Sequence, residues 1–289
     1  MTNNHYLVRL DWPEKSFRSS SADIEYLRSL LPEGASVEHV RSERAFLRAL
    51  PKATHAIVWN FKKEWFVKAP RLKLLATPAA GRELIPEVGP EGVKIHFGGF
   101  HGGIIAESVV GFMLAFARGF FLKSEKVWPR VDFSDKCYSL SGTKAVVLGY
   151  GKIGAAIGAK LKGLGVGVEG FSRKNIEDLP RALKTADWLI LALPGTTGTD
   201  NIVNAALLKK LPRRAVLVNI GRGNAIDEKA LFEALKSKRI AGAYLDVRKV
   251  EPALEAPKLE NLVLMPHSSA FYPSYVKDCF KELKDEGLL

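Results

Sequence analysis

Short apolar runs separated by polar or glycine-bearing turns recur along this chain and alternate with segments of helical period. Residues 6–10, 36–40, 53–59 and 72–77 read as strands. Between them, 22–31 reads as a helix ended by Pro32, and 42–50 as a helix opened by a serine cap and stopped by Pro51. After a glycine-rich stretch at 98–103, which reads as a hinge and carries His101, comes a helix over 107–123. That helix is apolar around much of its circumference (Val109, Phe112, Met113, Leu114, Phe116, Phe120), as expected of one buried between domains or against a second subunit. From residue 144 the alternation restarts, with strands at 145–148, 166–171, 187–193, 215–220, 240–247 and 261–265 and a small-residue helix at 155–164. Strands that alternate with helices predict parallel sheets covered on both faces.

Composition narrows the class. With 289 residues, 47% of them apolar, the chain is a folded protein long enough for two domains. Its two cysteines, Cys137 and Cys279, lie far apart in no metal-ligand spacing, so no metal site and no disulfide framework is expected, and a reducing cytoplasm fits. The first residues show neither the basic nor the apolar region of a secretory leader. The most apolar run, 104–122, is interrupted by Glu107 and Arg118, which predicts a buried helix and no membrane span. A net charge of +12 raises the question of nucleic acid, but Lys and Arg are scattered and form no binding motif, so no nucleic-acid partner is expected. The charge is read as a solvated basic surface or as steering of small anionic ligands.

Candidate chemistry sits at the ends of the later strands. Gly149-Tyr150-Gly151-Lys152-Ile153-Gly154 follows an apolar strand and opens a helix. The first glycine permits the tight turn, the second lets backbone approach a pyrophosphate, and the third lets helix pack on strand. A plain glycine turn shares the spacing, but the flanking strand and helix favour dinucleotide binding. At the next strand's end, where an NAD site carries Asp or Glu, stand Ser172, Arg173 and Lys174. They can donate to a 2′-phosphate, which favours NADP(H) over NAD(H); an ordinary basic turn is the alternative. Leu193 and Pro194 lead into a hydroxylated loop with Thr199, which reads as a crevice lining or a simple turn. Beyond lie Ile220 and Gly221 with Arg222, then Asp246 with Glu251, then His267 with Ser269, so that Arg222, Glu251 and His267 each sit just past a different strand. Arginine, glutamate and histidine gathered at one sheet edge suggest a site.

Taken together, the glycine loop, the run from Val218 to Gly223, Leu245-Asp246 through Glu251-Pro252, and Pro266-His267-Ser268-Ser269 resemble the D-isomer-specific 2-hydroxyacid dehydrogenase family. Ala80-Gly81 and the segment from Ala106 to Val109 look like its substrate loop and the start of its interdomain helix. The resemblance implies two doubly wound parallel-sheet α/β domains: a Rossmann cofactor domain (104–269) inserted into a discontinuous flavodoxin-like substrate domain (1–103 and 270–289). It also implies a homodimer in contact through the helix from Glu107. Carried over by residue, Arg222 binds the substrate carboxylate and polarises the 2-oxo group, His267 is the general acid/base, and Glu251 holds His267. Asp246 would hydrogen-bond the nicotinamide amide, with Ile220, Gly221, Thr199 and Ser269 as further cofactor contacts, and Ala80, Gly81 and Arg82 would bind the substrate carboxylate. The chemistry suits these types: histidine donates a proton near neutrality, and arginine offers an always-charged fork.

The implied reaction is hydride transfer between NADP(H) and a small 2-oxo acid or D-2-hydroxy acid, glyoxylate and hydroxypyruvate being favoured. Formate and phosphite dehydrogenases are alternatives within the same fold, and a non-catalytic nicotinamide sensor resembling corepressors is a reading of another class. Residues 247–250 are basic where the family is commonly aromatic and acidic, and the chain is short after Phe271; both features bear on the substrate. If surface charge steers the acid substrate, its KM rises steeply with ionic strength; a flat salt response excludes steering.

Overall fold

The computed structural model describes residues 4–123, 133–252, 255 and 257–289. Residues 1–3, part of the stretch read for a leader, lie outside the described residues. The chain divides into two compact units, Met1–His101 with Phe271–Leu289, and Gly102–Ala270.

The first unit holds β1 (His5–Arg9), α1 (Ser21–Leu30), β2 (Ser36–His39), α2 (Glu43–Ala49), β3 (His55–Val58), β4 (Leu74–Thr77) and β5 (Lys94–Phe97). Its strands form one parallel sheet in the order β2-β1-β3-β4-β5, the flavodoxin-like winding. Strands β3 and β4 are buried at every position, as strands covered on both faces must be. Both helices start on serine caps. The Ser20 hydroxyl accepts from Asp23 N–H at 3.2 Å while the Asp23 carboxylate accepts from Ser20 N–H at 2.8 Å, and Ser42 accepts from Ala45 N–H at 3.2 Å. The apolar pattern does not reveal β5, because this edge strand buries only one of its four residues fully.

In the second unit, α3 spans Gly102–Ala117, followed by β6 (Lys144–Leu148), α4 (Lys152–Gly163), β7 (Gly167–Phe171), α5 (Leu179–Leu183) and β8 (Trp188–Leu191). Next come α6 (Ala205–Leu208), β9 (Val216–Asn219), α7 (Glu228–Lys236), β10 (Gly242–Leu245) and β11 (Leu262–Leu264). The chain then re-enters the first unit as α8 (Tyr275–Asp285), which packs on α1. The six parallel strands lie in the order β11-β10-β9-β8-β6-β7. Alternate residues of β8 feed opposite cores: Trp188 and Ile190 join Met113, Ile157 and Leu161 on one face, while Leu189 and Leu191 join Leu231 and Leu235 on the other. Winding reverses between β7 and β8, so the loops leaving β6 and β8 diverge and open a crevice at the carboxyl edge.

Helix α3 differs from its expected bounds at both ends. It begins at Gly102, so Gly102 and Gly103 form its first turn, and Gly102 packs against Ile153 and Ala156 of α4. It ends at Ala117, before the expected Lys123, because Gly119 takes φ +73°. Phe120 N–H then bonds Ala115 O at 2.8 Å and Gly119 N–H bonds Phe116 O at 3.1 Å, a Schellman closure. No helix among the described residues is long and apolar enough to cross a membrane.

One titration belongs to the fold itself. Burial in β3, with Lys73 nearby, pushes His55 down to about 4, its ring stacked on Tyr6 at 4.3 Å. The unfolded chain takes up this proton at the ordinary histidine value, so stability falls as pH drops from about 6.5 to about 4, by at most about 3 kcal/mol. Urea midpoints across that window should show the decline, and His55→Phe should flatten it.

Candidate functional site

The glycine turn after β6 meets its sequence rationale atom by atom. Gly149 adopts φ +98°, and a Cβ there would lie 2.5 Å from Ala192 O. A Cβ on Gly154 would lie 2.3 Å from Gly149 O, so the third glycine lets α4 press onto the turn. Gly151 is different: nothing lies within 4 Å of its missing Cβ, so the protein's own packing does not require glycine there. It is the N-cap of α4, and no side chain caps that helix. The helix thus starts, without a side-chain cap, beside a concavity lined by Gly149, Tyr150 and Gly151, which fits the pyrophosphate of a dinucleotide.

That concavity belongs to a cavity of about 630 Å³. Gly149, Tyr150, Gly151, Ser172, Arg173, Leu193, Pro194 and Thr199 line it; Lys152, Ile153, Gly154, Lys174, Ile220, Gly221, Asp246 and Ser269 do not. Tyr150 is seated by two glycines that the motif does not announce: a Cβ on Gly170 would meet its ring at 2.3 Å, and one on Gly158 its hydroxyl at 2.5 Å. The turn after β7 is closed by Asn175, whose Oδ1 accepts from Ser172 N–H at 2.8 Å and whose Nδ2 donates to Gly170 O at 2.9 Å. Arg173 and Lys174 project from this turn, exposed and without an ion pair among the described residues. Thr199 latches its own loop, its Oγ1 lying 2.8 Å from Pro194 O and accepting from Thr196 N–H at 3.1 Å.

At the end of β9, two glycines fix Arg222 by close approach. A Cβ on Gly221 would lie 2.6 Å from Leu193 O, and one on Gly223 would lie 2.0 Å from the carbonyl carbon of Arg248. Asn219, fully buried, brackets the arginine: its Oδ1 accepts from Gly221 N–H and its Nδ2 donates to Arg222 O, both at 3.1 Å. Ile220 instead packs into the core beside α3 and α4.

The structure brings Glu251 and His267 together. Glu251 Oε2 lies 2.9 Å from His267 Nδ1, and both line a second cavity of about 360 Å³ with Arg248, Pro252, Leu264, Met265 and Pro266. A carboxylate only accepts, so Nδ1 carries the proton of this bond and Nε2 is left for chemistry. His267 has φ +54°, a left-handed conformation uncommon outside glycine. Asp246 holds it there: its carbonyl accepts from His267 N–H at 2.8 Å, and its buried carboxylate accepts from Ser268 N–H at 2.9 Å and Ser269 N–H at 3.1 Å. The Ser269 hydroxyl lies 3.2 Å from Tyr244 Oη, and its carbonyl accepts from Ser108 of α3 at 3.2 Å. Asp246 therefore anchors the histidine turn, a role its place in the motif does not disclose.

Ala80, Gly81 and Arg82 lie in the first unit, in the loop after β4. Gly98 backs this loop so closely that a Cβ would lie 2.2 Å from Pro78 O. The Arg82 guanidinium is engaged by Glu87 at 2.7 Å and stacks on the Phe97 ring at 4.9 Å. Its side chain is thus a surface arginine. Among the described residues no group of His, Cys, Asp and Glu could hold a metal.

Comparison with known proteins bears on this edge directly. A model of the D-isomer specific 2-hydroxyacid dehydrogenase NAD-binding domain matches residues 110–269. A glyoxylate reductase of Thermococcus litoralis is 31% identical over 82% of this chain and 77% of its own. A glycerate dehydrogenase of Methylorubrum extorquens is 31% identical over 68% of this chain and 69% of its own. Among solved structures, the PH0520 protein of Pyrococcus horikoshii superposes with a TM-score of 0.78 at 28% identity, covering 99% of this chain and 91% of that one. A 2-hydroxyacid dehydrogenase of Xanthobacter autotrophicus, solved with NADPH and MES, shares the fold with a TM-score of 0.77 at 23% identity, covering 99% and 96%.

The two kinds of glycine separate in a melting experiment on the ligand-free protein. Gly223→Ala should lose about 1–3 kcal/mol, because the 248–251 turn has to move, whereas at Gly151 the poorer cap, about 1 kcal/mol, is offset by the stiffer unfolded chain that alanine gives, about 0.4–1 kcal/mol, so Gly151→Ala should change stability little. Equal losses would contradict the distinction.

Proposed function

The chain belongs to the D-isomer-specific 2-hydroxyacid dehydrogenase family, and from that premise we propose that it reduces glyoxylate, hydroxypyruvate or a similar small 2-oxo acid with NADPH. Oxidation of a 2-hydroxy acid by a nicotinamide cofactor is the family's reaction, and the protein is an enzyme of that class. In this reading the unit Gly102–Ala270 binds the cofactor, the other unit binds substrate, and the protein works in the cytoplasm, its cysteines Cys137 and Cys279 free.

The observation that carries the reading is the 2.9 Å bond between Glu251 and His267 at the carboxyl edge of the sheet that carries the glycine turn. The bound nicotinamide supplies the hydride. His267, its Nδ1 proton held by Glu251, gives the Nε2 proton to the substrate's C2 oxygen as charge develops there, and takes it back in the reverse direction. Glu251 holds the ring in the orientation from which that proton leaves. Arg222, fixed between its glycines, forks onto the substrate carboxylate and draws electron density from the adjacent 2-oxo group. The backbone N–H groups at Ala80, Gly81 and Arg82 take the carboxylate's remaining lone pairs. NADPH is favoured because the β7 turn is closed by an amide, Asn175, and bears exposed Arg173 and Lys174 where a carboxylate would repel a 2′-phosphate. A second copy of the chain covers α3, whose Leu114 stays 39% exposed and which leads to Phe120, 77% exposed.

His267→Ala and Arg222→Ala should each lower kcat/KM by at least about a hundredfold with glyoxylate or hydroxypyruvate; near-normal turnover in either ends the mechanism. Binding of cofactor with no turnover on any 2-oxo acid favours a sensor instead. NADPH should exceed NADH in kcat/KM, and Arg173→Ala should shrink that ratio while sparing NADH; a preference for NADH refutes the cofactor assignment. Gly151→Ala should weaken both cofactors alike.

A further inference from the structure

We propose that Glu228 and Arg248 are positioning residues that lock the turn carrying Glu251 and so aim its carboxylate at His267. The inference rests on the reading of Glu251 and His267 as the acid–base pair. Its basis is a chain of short contacts running from a helix to the histidine. Arg248 forks onto Glu228, Nε to Oε1 at 2.7 Å and Nη2 to Oε2 at 2.8 Å. Lys249 N–H donates to the same Glu228 Oε1 at 2.9 Å, so one carboxylate grips both a side chain and the backbone of the turn. Arg248 N–H in turn donates to Glu251 Oε1 at 2.8 Å, which leaves Oε2 for His267 Nδ1 at 2.9 Å. Glu251 thus has one oxygen fixed by the turn and one spent on the histidine.

The anchor is the rigid end of the chain. Glu228 opens α7 directly after the Asp227 cap, where the helix dipole favours a negative charge. Arg248 also lies over the ring of Phe232, one turn further along the same helix, at 5.4 Å. The fork is better shielded than the pair it serves: the Arg248 and Glu228 side chains are 13% and 19% exposed, against 37% for Glu251 and 51% for His267. A bidentate pair in that setting restricts geometry more than a solvated one does. Burial pushes the Glu228 carboxyl up, but the hydrogen bonds from Arg248 and from Lys249 N–H, with the charges of both residues, together outweigh it and hold the group below the usual carboxylate range. Gly223 closes the opposite side of the same turn, so it is held between α7 and the end of β9. A pair as exposed as Glu251 and His267 gains from this support, because solvated side chains are held less firmly by packing than buried ones.

A cycle of variants tests the proposal. Arg248→Met alone strands a half-buried charge, so the informative variant replaces both partners, Arg248→Met with Glu228→Leu. With the 2-oxo acid substrate and NADPH, its kcat should fall by about 10–100-fold, the cost of a misplaced catalytic pair, while KM for NADPH stays within about twofold. Added to Glu251→Ala, the same replacement should slow the enzyme no further, because it acts only through Glu251. Full kcat in the paired variant, or losses that add to those of Glu251→Ala, overturns the proposal. Nitrogen NMR of the His267 ring gives a readout free of turnover: the Nδ1–H resonance of the wild type should exchange with water faster in the paired variant. If His267→Ala and Glu251→Ala are themselves fully active, the acid–base reading has failed, and the NMR result alone decides the clamp. An unchanged Nδ1–H signal then overturns it, and faster exchange upholds it.

Discussion

Backbone contact without side chains is the constraint on which the carboxyl edge of the second unit depends. Gly149 lets the β6 turn touch the residue after β8, Gly221 lets the β9 turn touch the same segment at Leu193, and Gly223 lets it touch Arg248 after β10. Four strand ends are joined by three positions where a single methyl group has no room. Because each contact is backbone to backbone, little can relax by rotating a side chain, and the loops keep their spacing. Beside these close-packed positions, Gly151 differs in that its missing side chain faces open space. The close-packed glycines build the edge, and the open one leaves room at the helix end for something that is not protein.

Electrostatics then divides along burial. The well-shielded groups at this edge, Asp246 and the Glu228–Arg248 fork, are spent on backbone N–H groups and on each other. Half-exposed groups, Glu251 and His267, form the pair available for chemistry. Low dielectric strengthens the first set and makes it stiff, whereas water access keeps the second able to exchange protons. The left-handed backbone at His267 fits this division, since such a conformation costs of order 1–3 kcal/mol and persists only when its surroundings over-determine it. Asp246 supplies that over-determination through the N–H groups on the two residues that follow.

How much of this was legible depended on whether the cause was local. Buried parallel strands write themselves as continuous apolar runs, so β1, β3, β4 and the strands of the second sheet stood out, as did serine caps and proline stops. Edge strand β5 did not, because Lys94 and His96 break its apolar run. The early end of α3 hinged on Gly119, whose left-handed role looks like any other glycine until Phe120 and Ala115 are seen to bond across it. At the candidate site the types Arg222, Glu251 and His267 were visible as chemistry, but Asn175, Asn219 and Glu228 were not. Their partners lie on other turns or other strands, and a short polar residue in a loop carries no mark of the bond it makes. Arg248 was visible only as part of a departure, the basic segment 247–250 where the family is commonly aromatic and acidic, and its partner Glu228 lies twenty positions away in the chain.

That departure has a physical logic. An aromatic side chain at position 248 would hold the turn by packing; an arginine over Phe232 packs its guanidinium on the ring and adds two directed hydrogen bonds to Glu228. Packing resists displacement in every direction about equally, while a fork fixes orientation, and orientation is what a carboxylate with one committed oxygen requires. The surrounding excess of positive charge makes the same point from the other side. In a chain of net charge +12, a half-buried glutamate at a helix start without a dedicated cation would leave its alignment to many distant charges. A single short, shielded partner makes the local geometry independent of that field and of the salt that screens it.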